Sequence, residues 1–229
     1  MRITGEEEPA ALQTYPVNGW VGVDTNVTFL ALCHVRPDGN PQGFATFGDS
    51  RLYDARATQR DAIIGEVTHQ AVQWAKARGA GLVIENLKFI HDQDVSAKFN
   101  RVMHQFTYRA FLTALARQAA REGVEVRKVK PAYTSIIGRF KYQPQYGISV
   151  HHAAALVIGR RGERKVWREN VPKPLREWMQ RRGKWNNVTY RQTDWSAWHK
   201  ITQEIRATLL ENHQYLNAWL GQRHHIYQH

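Results

Sequence analysis

A chain of 229 residues, 42% hydrophobic and 11% aromatic, holds enough apolar material for one well-buried domain of ~150 residues plus an appendage, and too much for a disordered protein. Lys and Arg outnumber Asp and Glu by 32 to 20, a net charge of +12, which points to a polyanionic partner. No apolar run approaches the ~18 residues of a spanning helix. The opening MRITGEEEPA lacks an apolar signal core, and the single cysteine, Cys33, provides neither an internal disulfide nor a cysteine zinc site. A cytoplasmic protein without membrane or zinc is expected.

Residues 1–17 are acidic and aperiodic and read as an extension. From Trp20 to Val35 the run is strand-like, rich in Val, Thr and Phe. Pro37-Asp38-Gly39-Asn40 signals a turn, and GFATFG reads as the returning strand. Over residues 58–78, Ile63, Ile64, Val67, Ala71 and Trp74 recur at helical spacing, stopping before Gly79. GLVIENL is the next strand. Residues 98–122 repeat the helical pattern through Phe99, Val102, Met103, Phe106 and Ala110 up to Gly123. VEVRKV is a further strand closed by Pro131, and Ser149 is a candidate N-cap for a helix beginning at His151 and His152.

Strand hairpin or meander, helix, strand, helix, strand, helix is the order of the ribonuclease H-like α/β fold, a mixed five-stranded sheet flanked by helices. In that order the first strand lies beside the strand that follows the first helix, joined by a right-handed crossover. Both of these strands carry an acid, Asp24 in GWVGVDTNVTFLAL and Glu85 in GLVIENL. A buried unpaired carboxylate is heavily penalised, so its presence twice, on adjacent strands of a basic chain, calls for a cation. Two hard oxygen ligands and a third group from the histidine-bearing helix can hold one or two divalent ions about 4 Å apart. Such sites hydrolyse phosphodiesters without a protein nucleophile.

The segments GVDTN, VIENL, HQFTYRAFLTALARQAAREGVEVRKVKPAYTS and ISVHHAAALVIGRR resemble the RuvC-like nuclease domain of the transposon-encoded TnpB (OrfB) family. That family is related to type V CRISPR effectors and to RuvC Holliday-junction resolvases. The resemblance spans roughly residues 20–162 and is strongest from Phe106 to Ser135. It implies a Mg²⁺- or Mn²⁺-dependent DNA nuclease with a two-metal site and Asp24 and Glu85 as its first two acidic ligands. A guide RNA is a further partner that the resemblance leaves open. Two departures stand out. Thr134-Ser135 is followed by IIGRFKYQPQYG where TnpB proteins insert a four-cysteine zinc ribbon, and the family's third catalytic Asp is replaced, in register, by His151. Some RuvC resolvases have a His at this helix start with an Asp three residues later, where this chain has Ala154. The implied site is Asp24, Glu85 and His151. A counterpart of TnpB's guide-binding lobe is missing from these residues.

After the domain expected over 18–162, residues 163–229 read as a basic, Trp-rich helical appendage. Residues 160–191 carry eleven Lys or Arg against three Glu, with Trp167, Trp178, Trp185 and Tyr190 interleaved, a composition suited to stacking on bases and contacting phosphates. Arg139, Lys141, Arg160, Arg161, Arg181, Arg182, Trp178 and Trp185 are the candidate nucleic-acid contacts. His104, His199, His224, His225 and His229, and Asp92 and Asp94 after Glu85, read as solvent-exposed, while His152 stands beside His151 as the alternative third ligand. Two alternatives stand beside the TnpB-like endonuclease. One is a stand-alone Holliday-junction resolvase, which would be a two-fold homodimer. The other is a cleavage-inactive nucleic-acid-binding protein.

Overall fold

The computed structural model describes residues 16–86, 98–163, 169–185 and 195–211, with backbone alone for 98–105 and 209–211. Residues 1–15, Asp92 and Asp94, Trp167, Tyr190 and the last three histidines lie outside this set, as do the side chains of Phe99, Val102, Met103 and His104. The strand-like run splits in two. β1 (Trp20–Thr25) and β2 (Phe29–Val35) pair antiparallel around a turn in which the Asn26 amide donates to the Phe29 carbonyl. The expected uninterrupted strand is wrong at Asn26, whose side-chain amide also donates to Asp24 Oδ2 at 3.2 Å. Short Asn and Asp side chains favour such local bonds over the ladder.

β3 (Pro41–Gly48) follows, then α1 (Ala57–Lys76), β4 (Gly81–Glu85), α2 (Lys98–Arg121) and β5 (Val126–Val129). The sheet order is β3-β2-β1-β4-β5, antiparallel from β3 to β1 and parallel from β1 to β5. This is the mixed five-stranded sheet expected of the ribonuclease H-like plan. Side-chain alternation along the strands divides it into two faces. Val21, Val23, Leu82 and Ile84 join Ile64, Val67, Phe111 and Leu115 of α1 and α2 in one core. Trp20 and Val83 turn to the opposite face and meet Ile158. Phe106, expected in the buried stripe of α2, is 54% exposed under the Arg60 guanidinium. The buried stripe runs instead through Phe111, Leu112, Leu115 and Ala119.

From Thr134 the chain is helical: α3 (Thr134–Ile137), a π-helical turn (Gly138–Tyr142) and α4 (Gln143–Tyr146) lead into α5 (Val150–Arg160). Ser149 caps α5 as expected, its hydroxyl accepting from the His152 amide at 3.1 Å. α5 lies against β1 at a distance only glycine permits. A Cβ on Gly22 would stand 2.0 Å from the Ala155 carbonyl oxygen and 2.3 Å from the Gly159 nitrogen. Gly22→Ala is therefore expected to lift α5 off the sheet, at a cost of at least ~1–3 kcal/mol. Urea denaturation measures this, and an unchanged midpoint would refute it.

α6 (Lys173–Arg181) and α7 (Trp195–Glu211) cover the outer side of α5. Leu175, Trp178, Met179, Trp198 and Ile201 share one core with Ile137, Phe140, Ala153 and Leu156, so the basic region is anchored on the sheet domain through apolar packing. Among the described residues no helix is long and apolar enough to cross a membrane.

Candidate metal and nucleic-acid site

The β1–β4 register pairs Trp20 with Gly81 and Gly22 with Val83. Continued two residues, it sets Asp24 opposite Glu85 at the carboxyl ends of two parallel strands. By strand alternation both share the face of Gly22 and Val83, the face that α5 covers. Asp24 and Glu85 are each intermediate in exposure within otherwise buried strands.

His151, in the first turn of α5, meets Asp24: Nδ1 is 2.9 Å from Asp24 Oδ2. Its ring also packs edge-on to Phe29, with centroids 5.1 Å apart. The bond to Asp24 raises the His151 pKa above the ordinary imidazole value, outweighing the opposing effect of burial. His152 points elsewhere, Nε2 lying 3.0 Å from Thr46 Oγ1 and 3.1 Å from the Ala45 carbonyl of β3.

Glu85 is held from both sides of the sheet. The Tyr108 hydroxyl of α2 donates to Oε2 at 2.6 Å, and the Thr134 hydroxyl at the start of α3 lies 2.8 Å from Oε1. Burial pushes the Glu85 carboxyl above its usual range; the two hydroxyl bonds and the Arg161 charge oppose this, while the Asp24 charge adds to it. Sequence reasoning missed Tyr108 and Thr134, because a lone hydroxyl on a helix carries no signal of a partner 23 or 49 positions away.

The donor set suits a hard divalent cation. Two carboxylates end adjacent strands on one face and, among the described residues, neither has a Lys or Arg ion-pair partner. His151 presents one ring nitrogen to a carboxylate, as metal-ligating imidazoles commonly do. Among the described residues, however, no three His, Cys, Asp or Glu side chains are drawn into a ready-made cluster. The three stand as a bonded Asp24–His151 pair and a separately tethered Glu85.

The candidate nucleic-acid contacts divide. Lys141 Nζ and Arg160 Nε reach Glu169 at 2.7 and 2.8 Å, so both charges are engaged inside the protein. Arg161 binds the carbonyls of Lys130 and Ala132, and Arg182 pairs with Glu204 at 2.5 Å. Trp178 is 7% exposed in the core, and Trp185 packs at its edge. Their burial removes Trp178 as a stacking surface and makes it a helix anchor. Arg139 and Arg181 are exposed.

No family model matches this chain, and no curated protein does. Among solved structures it is similar to RuvC of Thermus thermophilus. The complex of that protein with a Holliday junction substrate shares 16% identity at a TM-score of 0.45, covering 72% of this chain and 96% of the other. A second Thermus thermophilus RuvC structure gives 16% and 0.44 over the same shares.

Proposed function

We propose that this protein is a divalent-metal-dependent endonuclease that hydrolyses phosphodiester bonds in DNA, RuvC-like in plan and TnpB-like in lineage. One observation carries the reading: Asp24 and Glu85 end adjacent parallel strands on the same face and, among the described residues, neither has a Lys or Arg ion-pair partner. Asp24, Glu85 and His151 would hold Mg²⁺ or Mn²⁺, which supplies charge neutralisation for the phosphate and a water of lowered pKa. Tyr108 and Thr134 fix the Glu85 carboxylate. His151 fixes Asp24 through Nδ1. The net charge of +12 attracts a polyanion to the protein.

Within the same chemistry, a stand-alone junction resolvase is favoured by one feature. The Thr134–Tyr146 segment folds as helical turns packed on α5, in the position where TnpB proteins carry a zinc ribbon. End-labelled duplex, single strand, fork and four-way junction, each incubated with Mg²⁺, Mn²⁺ or EDTA, test the reading. Metal-dependent cleavage is expected, with Mn²⁺ at least as effective because imidazole is a softer ligand than carboxylate. Paired symmetric nicks confined to the junction would identify a resolvase. Binding without cleavage under every metal would establish the cleavage-inactive alternative.

A further inference from the structure

Beside the acidic pair, and unused by it, stands an aromatic cluster built across two distant parts of the chain. Trp195 and His199 occupy one face of α7 four residues apart, and both are exposed, Trp195 by 50%. Tyr133 sits against them, its ring centroid 5.6 Å from that of Trp195 and 6.3 Å from that of His199, with its hydroxyl 3.0 Å from His199 Nδ1. The Arg161 guanidinium lies 5.0 Å over the Trp195 ring. The cluster is not needed to anchor α7, since Trp198, 2% exposed, does that with its indole N–H donating to the Glu169 carbonyl at 2.7 Å.

Two features tie the cluster to the site. Tyr133 immediately precedes Thr134, whose hydroxyl holds Glu85. Tyr133 is also the sole non-glycine described residue with positive φ, at 62°. A bulky aromatic in the left-handed region is an outlier, and here that conformation sets the Tyr133 ring on α7 while the next residue turns its hydroxyl to Glu85.

Resting on the nuclease reading, we propose that Trp195, Tyr133 and His199 form a stacking platform for an unpaired nucleobase of the substrate strand, next to the phosphodiester that Asp24 and Glu85 address. A half-exposed indole capped by a guanidinium fits a base face, which every nucleotide presents and which only an unpaired one can offer. The fully paired interior of a duplex cannot reach such a platform. The site would thus favour DNA with unstacked nucleotides at the cleavage point.

The test uses the full chain in EDTA, so that binding is read without cleavage. Two fluorescein-labelled DNA probes are titrated: a plain duplex, and the same duplex carrying a three-nucleotide bulge with one 2-aminopurine. Wild type is expected to favour the bulge and to quench the 2-aminopurine. Trp195→Ala should lose about 10-fold in affinity for the bulge, change duplex affinity by less than about 2-fold and leave the salt slope of both unaltered, because no phosphate contact is lost. Trp195→Phe should retain the preference and the quench. Equal affinity of wild type for the two probes, or an unquenched 2-aminopurine, overturns the platform while leaving the nuclease reading intact, and needs no variant. Failure of wild type to bind either probe overturns both.

Discussion

Asp24→Asn and Glu85→Gln will each reduce DNA cleavage by roughly 10³-fold or more, the scale seen when one group aimed at developing charge is removed, while metal-free binding stays within a few-fold of wild type. The two carboxylates end adjacent strands, so loss of either would remove one proposed anionic ligand and half of the charge that would retain a cation. The supporting groups should matter less. Tyr108→Phe and Thr134→Val each delete a bond that orients a carboxylate, and such changes typically cost about 10–100-fold, whereas His151→Ala removes the third proposed ligand along with its bond to Asp24 and should inactivate the enzyme. His152→Ala touches only Thr46 and the Ala45 carbonyl and should leave the rate unchanged. Single-turnover rates on a labelled substrate rank the variants. A His152 variant that is dead beside an active His151 variant would show that the imidazole on β3, not the one on Asp24, serves the site.

Glu169→Ala is expected to be the most destabilising single change in the helical cover. Its carboxylate accepts from Lys141 and Arg160, and from the Tyr142 hydroxyl at 2.5 Å. Burial alone would push Glu169 up, but Lys141 and Arg160 outweigh it and hold the carboxyl below its ordinary range. Burial likewise pulls Lys141 below its ordinary value, with Glu169 opposing. Truncating the acid leaves two largely buried cations facing each other, a loss of about 3–5 kcal/mol when one partner of a buried pair is removed. For a chain of this size that lowers Tm by roughly 10 °C. Replacing the group together, Glu169→Leu with Lys141→Met and Arg160→Met, should recover much of the loss, since an apolar cluster carries no desolvation cost. A Glu169→Ala variant melting within about 2 °C of wild type would show the three groups to be solvated rather than interdependent.

The order of strands and helices along the chain was legible in the residues alone, because strand and helix periodicities are local. Ile63, Ile64, Val67 and Ala71 mark α1, and the apolar runs around Asp24 and Glu85 mark β1 and β4. The two acids were legible too, since a charge inside an apolar run conflicts with its neighbours wherever the chain folds. Pairings between distant positions are settled by packing and leave no local signal. Tyr108 and Thr134 became supports of Glu85 because α2 and α3 meet the end of β4. Trp178, Lys141 and Arg160, which a basic aromatic composition suggests for nucleic acid, were drawn inward by α5 and by Glu169. Trp195, similar to Trp178 in composition, stayed at the surface because Trp198 took the buried face of α7. Composition sets how many aromatic and basic side chains exist; the packing of α5, α6 and α7 decides which of them still face the solvent.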